Sequence, residues 1–176
     1  MALGAILWGE DQEVLVSRDC VMTFAADFAV LLDRLDDELQ AAPEAARAVF
    51  AKIIGSACSR IPILSKSGKT ARIERLIESG AWTDAAMALI ESEMPGWKLR
   101  RLVYENGEWF CSLSRQPNMP ADLDDSADAV HEVLPLAILR AFVEARRRSK
   151  VATEAAARIP QLQPAAGGLV CCDNFA

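Results

Sequence analysis

The sequence contains only one histidine, no long uncharged apolar run and no framework of paired cysteines. A membrane-spanning helix needs roughly 18–20 consecutive apolar residues, and no stretch of this chain approaches that length. The five cysteines are odd in number and mostly far apart in sequence, which argues against a set of disulfides and favours a reducing compartment. We therefore expect a cytoplasmic protein without membrane contact.

The single histidine limits the catalytic chemistry that the chain can carry. A Ser-His-Asp triad or a Cys-His dyad would have to use His131, and no nucleophile-elbow pattern is present. We expect His131 to be a surface or helix-capping residue. Cys171 and Cys172 are adjacent and lack a second CxxC pair, so they are candidate oxidisable thiols rather than zinc ligands.

Neither end of the chain resembles a targeting segment. The first residues form a short apolar run that lacks the basic start and the small-residue cleavage site of a signal peptide, and acidic residues follow it directly. Near the other end, Cys172 lies one position too early for a C-terminal lipidation signal. We expect neither a leader nor a lipid anchor.

The composition favours helices and an acidic surface. Hydrophobic residues make up 52% of the chain, with alanine and leucine prominent among them, and both residues favour helix. The formal net charge is −6. An acidic chain repels the nucleic-acid backbone unless its basic residues are segregated onto one face. At this length the chain suits one domain with a sizeable core, or one domain with an appendage.

One segment, Gly96–Arg115, is typical of a β-hairpin. Asn106-Gly107 is a strong two-residue hairpin turn, because both residues tolerate a positive φ. This turn predicts the cross-strand pairs Tyr104–Trp109, Val103–Phe110 and Leu102–Cys111. One predicted face carries Trp97, Leu99, Val103 and Phe110, and the other carries Leu102, Tyr104, Trp109, Cys111 and Leu113. Apolar groups on both faces predict helices on both sides of the hairpin.

Helical periodicity dominates the rest of the chain. Two helices, over Thr23–Gln40 and Pro43–Arg60, are predicted to form an antiparallel αα-hairpin, with Thr23 as an N-cap and Pro43 in the first turn. A third short helix ends at Gly80, and a fourth begins at Thr83 as N-cap, with a staple between Trp82 and Met87.

A last long helix is predicted from about His131 to Ser149, with Pro135 in its first turn and Leu136, Leu139, Phe142 and Val143 as its core residues. Met119–Asp128 is interpreted as an acidic loop, and the segment DDSADAVHEV as a capping segment before this helix. The sequence thus predicts an α+β, mostly helical fold, with an αα-hairpin and an α-β-β-α unit whose antiparallel sheet of two strands, or three, is sandwiched by helices. A third strand would come from Glu13–Val16 at the sheet edge.

Four parts are predicted within what is most simply one domain. Residues 1–22 form an N-terminal arm or edge strand, 23–64 the helical hairpin, 65–150 the α-β-β-α core unit, and 151–176 a mobile tail rich in alanine, proline and glycine.

The order of these elements resembles a known family. The segment ALIESEMPGWKLRRLVYENGEWFCSLSR, followed by LPLAILRAFVEA, is similar to the phage ABA-sandwich domain, an α-β-β-α unit of phage and prophage proteins. The resemblance covers roughly residues 81–148 and rests on the Pro-Gly-Trp junction, the aromatic hairpin and the late helix. It implies a bacterial or prophage-derived accessory protein without known catalytic residues.

Two segments resemble ligand-binding motifs but lack residues that those motifs require at fixed positions. Ser67–Thr70 reads SGKT, the end of a P-loop, but Ile63 stands where the motif needs its first glycine, so a polar turn at a helix start is predicted. The acidic group of Asp122, Asp124, Asp125 and Asp128 lacks the glycine and glutamate of a calcium loop and is interpreted as a solvated acidic loop. No metal or cofactor is expected.

Other acidic residues lie on helices. Asp33, Asp36, Asp37, Glu91 and Glu93 are interpreted as solvated helix faces, although the acidic end of the first helix opposes its dipole and would suit a basic neighbour.

Basic residues on the hairpin and the last helix form the candidate interaction surface. It comprises Lys98, Arg100, Arg101, Arg115, Arg140, Arg146 and Arg147. The leading hypothesis is a non-enzymatic module that acts through protein contacts or self-association. The alternatives are a small regulator that binds nucleic acid through this surface, and an enzyme with an unrecognised site.

Overall fold

The computed structural model describes residues 18–60, 68–120 and 124–158. Within these residues, five helices accompany a three-stranded antiparallel sheet, which confirms the predicted α+β, mostly helical fold class. The elements in chain order are α1 (Arg18–Ala41), α2 (Arg47–Ala57), α3 (Gly68–Glu78), α4 (Trp82–Glu93), β1 (Lys98–Glu105), β2 (Glu108–Ser114), β3 (Ser126–His131) and α5 (Leu134–Arg158).

The hairpin β1–β2 forms in the predicted register. Asn106 and Gly107 both have positive φ, at 55° and 91°, as a two-residue hairpin turn requires. The three predicted cross-strand pairs are all present. A bulge at Arg100 then shifts the register, so that Leu99 lies opposite Leu113 and not on the face predicted for it. One extra residue in a strand reverses the side of every residue beyond it.

The third strand comes from a segment that the sequence reading assigned to a loop. Ser126–His131 pairs with β2, with His131 opposite Trp109 and Ala129 opposite Cys111. The predictions of an acidic loop up to Asp128 and of a capping segment before the last helix are therefore wrong for this stretch. Its inward positions are mostly alanine, and the alternation was too weakly apolar to indicate a strand. The alternative edge strand, Glu13–Val16, lies outside the described residues.

The helices pack mainly on one face of the sheet, called here the helix-side face. The strand residues that join the helix core all belong to it: Leu102, Trp109, Cys111, Leu113, Ala127 and Ala129. Helix α5 crosses β2 and β3, and α1 and α4 pack against α5. The other face, called here the open face, carries Val103 and Phe110, which are half-buried, and Val130, which is exposed.

The core residues predicted for the last helix are confirmed. On α5, the side chains of Leu136, Leu139, Phe142 and Val143 are fully buried. They belong to the same hydrophobic cluster as Phe50 and Ile53 of α2 and Leu89 of α4. This cluster joins the helical hairpin to the sheet-bearing part of the chain. No helix of the described residues is long and apolar enough to cross a membrane.

Three predicted helix starts are wrong. Helix α1 begins at Arg18, so Thr23 lies inside it, because no proline or glycine interrupts the segment between them. Helix α2 begins at Arg47 after an extended Ala46, which leaves Pro43 in the connection. Helix α4 begins at Trp82 rather than after Thr83. The Trp82 ring stacks on Phe50 of α2, with centroids 5.6 Å apart.

Two other predicted helix boundaries are confirmed. Gly80 follows α3 with a φ of 73°, the left-handed conformation that glycine supplies at a helix C-terminus. Pro135 lies in the first turn of α5, as predicted. Helix α5 continues to Arg158, beyond its predicted end at Ser149, because an alanine-rich sequence extends the helix into the segment predicted as a mobile tail. The rest of that segment lies outside the described residues.

Candidate interaction surface

The arginines of α5 are engaged inside the fold. Arg140 donates from Nε and Nη2 to the two carboxylate oxygens of Asp36, at 2.9 and 3.1 Å. Its Nη1 also donates to the backbone oxygen of Val130, at 2.6 Å. Because a guanidinium matches a carboxylate in two places at once, this pair fixes α1 against α5 and β3.

A second ion-pair group lies further along α5. Arg147 donates to Asp33 of α1 at 2.7 Å and to Glu144, and Arg148 donates to the other oxygen of Glu144 at 2.8 Å. Burial alone would raise the pKa of Glu144, but the hydrogen bonds and charges of Arg148 and Arg147 hold it below its ordinary value. Glu144 therefore stays charged and holds both arginines.

Arg146 is also directed toward the body of the protein. Its guanidinium lies 5.8 Å from the ring centroid of Phe28 and 3.4 Å from the Ser59 hydroxyl. Of the seven predicted surface residues, the three on α5 thus join helices to one another. They are unsuited to bind a separate anion.

Several acidic residues predicted to be solvated have structural roles. Asp33, Asp37 and Glu91 are exposed, as predicted for a solvated helix face, whereas Asp36 is partly buried against Arg140. The expectation of a basic neighbour is confirmed for Asp33 and Asp36, which pair with arginines of α5. Glu93 is buried and accepts hydrogen bonds from the backbone N–H groups of Ser59 and Arg60, at 3.1 and 2.7 Å. It stabilises the chain just after α2, where helical hydrogen bonding ends.

Arg100 on the hairpin is likewise paired. It forms an ion pair with Asp124 and donates to the Met119 carbonyl at 3.1 Å. The Asp124 side chain has no exposed surface, so the interpretation of this residue as part of a solvated loop is wrong. Hydrogen bonds from Ser114 and Arg100 lower the pKa of Asp124 despite its burial.

The remaining described acidic residues of the predicted loop, Asp125 and Asp128, have different surroundings. Asp125 pairs with Arg148 at 3.5 Å, and Asp128 projects from β3 on the open face. Within the described part of the chain, no group of three or more histidine, cysteine and carboxylate side chains could hold a metal ion. Asp122 lies outside the described residues, as do the first residues of the predicted polar turn before Gly68, where α3 begins.

Cys58, Cys111 and His131 are buried. Cys58 and Cys111 are free thiols, and burial raises the pKa of each to about 12, with negative charge from Glu93 and Asp128 respectively adding to the effect. Such thiols stay protonated and unreactive at neutral pH. His131 is buried, so the predicted surface position is wrong. Its Nδ1 accepts a hydrogen bond from the Val133 N–H at 2.9 Å, just before α5, which confirms the capping role.

Three basic side chains of the hairpin remain accessible. Lys98 and Arg101 lie on the open face, on the same side because of the bulge, and Arg115 follows β2. The guanidinium of Arg101 lies 5.6 Å from the centroid of Phe110, and that of Arg115 lies 6.0 Å from Trp97. A shallow cavity of about 230 Å³ lies beside Arg101, lined also by Glu105, Phe110 and Val130. Its mixed charge does not select an anion.

Exposed apolar side chains concentrate at the sheet. Among the residues whose side chains the structure describes, five large hydrophobic ones are exposed, and only Val30 of these belongs to a helix. The others are Leu99, Tyr104, Met119 and Val130, on the strands or on the loop after β2. The sequence does not indicate this group, because the apolar residues on both faces of the hairpin predict core positions for most of them. Position in an edge strand, which leaves one flank uncovered, was the missing information.

No protein-family model, curated protein or solved structure matches the chain.

Proposed function

We propose that the chain is a non-enzymatic interaction module that binds protein through its hairpin. The bound protein is either a different protein or a second copy of the same chain. The observation that carries the proposal is the exposed apolar group on the sheet. Leu99 and Tyr104 both lie on β1 and are 37% and 57% exposed, on a strand that has a partner on one side among the described residues. Apolar side chains beside an unpaired strand edge are a common site of protein association.

The basic residues near this group add polarity to the proposed surface. Lys98 and Arg101 share the strand with Leu99 and Tyr104, and Glu105 ends it. Aromatic and arginine side chains are enriched in protein interfaces, where a polar rim surrounds an apolar centre. A partner would meet both kinds of side chain on one short strand.

The nucleic-acid alternative has less support. It depended on a basic face made by the hairpin and α5 together, and Arg140, Arg146 and Arg147 are engaged with other elements of the fold. Arg100 is paired with Asp124. Only Lys98, Arg101 and Arg115 of the predicted basic surface remain accessible, and the hairpin also carries the exposed acidic residues Glu105 and Glu108. Phosphate binding of useful strength needs several free cations. The likeness to phage ABA-sandwich proteins, with the prophage origin it implies, stays a prediction.

Site-specific photo-crosslinking tests the proposed function. A photoreactive phenylalanine analogue replaces Tyr104 in the full chain, which is irradiated alone and in cell extract. The matched control carries the same analogue at Val30, which is 59% exposed but lies on α1. We expect discrete protein adducts from position 104 and not from position 30. Equal labelling at both positions, or no adduct from position 104, would contradict an interacting hairpin.

A further inference from the structure

Strand β1 has an outer edge that no other strand of the described residues occupies. The sheet order is β1-β2-β3, so β1 pairs with β2 on one side alone. In a two-residue hairpin, the residues flanking the turn form a hydrogen-bonded pair, and the inward direction then alternates along the strand. Glu105 and Val103 therefore bond to β2, which leaves the N–H and C=O groups of Leu102 and Tyr104 directed outward.

The sequence of β1 is complementary to itself when it is reversed. Its first residue is Lys98 and its last is Glu105. Relative to β2, the bulge removes Arg100 from the ladder, so that Leu99 occupies the place next to Arg101. A second β1 running antiparallel about a two-fold axis at Leu102 then sets Lys98 opposite Glu105 and Leu99 opposite Tyr104.

We propose that two copies of the chain pair through the outer edges of β1 to form one continuous six-stranded antiparallel sheet, with the two-fold axis at Leu102. The partner is thus a second copy of this chain, and the inference rests on the proposed function that the hairpin binds protein. The two Leu102 residues exchange backbone hydrogen bonds at the axis. A two-fold axis makes each contact occur twice, which doubles the effect of every complementary pair.

In this register, both the exposed apolar residues and the charged residues of β1 have a partner on the second copy. Leu99 and Tyr104 lie on the helix-side face of β1, and α5 covers β2 and β3 more fully than it covers β1. In the pair of copies, each Leu99 packs against a Tyr104 of the second copy, on one continuous face. A register centred one residue later leaves Leu99 and Lys98 without a partner.

A lysine and a bulge on an edge strand usually oppose pairing with another strand. Here the two-fold register places a glutamate opposite the lysine, and the bulge has an equivalent position on both copies. An interface of one strand pair is small compared with permanent dimers, so we expect a dissociation constant on the order of micromolar.

Charge exchange on the full chain tests this register. Lys98→Glu sets two glutamates against each other in each pair, and Glu105→Lys sets two lysines against each other. Analytical ultracentrifugation should give each variant a dimer dissociation constant at least about tenfold higher than that of the parent. Mixing the two variants should restore dimers, because the mixed pair has opposite charges at both ends. Glu108→Lys, with the same charge change on β2, should leave the dimer intact.

Other outcomes would overturn the inference. A dimer that ignores both substitutions would place the interface elsewhere. A monomer whose Leu102 and Tyr104 amides resist hydrogen exchange would mean that another segment of the same chain, such as residues 1–17, occupies the edge. A monomer with freely exchanging amides there would exclude pairing altogether. In each case the crosslinking at position 104 still decides separately whether the hairpin binds another protein.

Discussion

Arg140 and Asp36 face each other across the contact between α5 and α1, with two parallel hydrogen bonds of 2.9 and 3.1 Å. The two residues are 104 positions apart in sequence. The sequence pattern predicts an exposed acidic side on the first helix and an exposed basic side on the last. In the structure this pair brings the two sides into contact. Together with Arg147 and Asp33, it ties the acidic side of the first helix to the basic side of the last.

Arg140→Met removes this contact while keeping the aliphatic part of the side chain. We expect the free energy of unfolding to fall by about 1–3 kcal/mol, because a partly buried carboxylate loses a two-point partner and the Val130 carbonyl loses a donor. Urea denaturation measures the change. Arg72→Met, on the exposed side of α3, is the matched control and should change stability by less than about 0.5 kcal/mol. Equal effects at both positions would show that the Arg140 pair contributes nothing.

The lowered pKa values of Glu144 and Asp124 predict sensitivity to acid. Both groups bind protons more weakly in the folded than in the unfolded protein, so their stabilising effect is complete above their ordinary pKa values of 4.5 and 3.8. It is lost as pH falls through the lower folded-state values. Urea denaturation at several pH values below 5 should therefore show a steep loss of stability, and Glu144→Gln should make that dependence shallower. Glu74→Gln on exposed α3 serves as control, and an unchanged slope in Glu144→Gln would refute the assignment.

The same substitution should have opposite effects at two glycines. Gly107 has a φ of 91° in the hairpin turn, so Gly107→Ala should destabilise the protein by about 1 kcal/mol or more. Gly55 is exposed inside α2 with open space around it, and Gly55→Ala should stabilise by roughly 0.5–1 kcal/mol through helix propensity. Thermal unfolding of both variants measures the difference. Changes of the same sign would contradict the turn geometry or the helix.

The buried thiols should be slow to react. In a variant with Cys20, Cys171 and Cys172 changed to serine, a thiol reagent at pH 8 should label Cys58 and Cys111 only slowly, because the pKa of each is about 12. Adding Val30→Cys should introduce one fast-reacting thiol, and urea should release the two slow ones. Fast labelling of the folded parent variant would contradict the burial and protonation of both residues.

The sequence predicts most of this fold where a short-range rule decides the outcome. The Asn-Gly turn determines the hairpin register, and helical periodicity identifies the buried sides of Leu136 and Phe142. The face of Leu99 could not be predicted, because a bulge depends on tertiary contacts and leaves no local signal. Strand β3 was missed for a related reason, since alanine, serine and aspartate have little intrinsic preference for sheet.

The candidate surface was less predictable than the fold. Arginines on α5 have the same spacing whether they face solvent or a second helix, and only the packing of α1 decides between these two cases. The edge position of β1 is also a property of the assembled sheet. What the sequence did contain was the order of residues from Lys98 to Glu105, whose complementarity becomes meaningful once the strand is known to be an edge.

The central claim is that two copies of the chain pair along β1, and residue-resolved hydrogen exchange across a dilution series tests it most directly. The account predicts that the amides of Leu102 and Tyr104 become more protected as the protein concentration rises. The outward-directed amides of Asp128 and Val130, on the opposite edge of the sheet, should not change. Exchange at Leu102 and Tyr104 that is independent of concentration, or that changes equally at both edges, would contradict the claim.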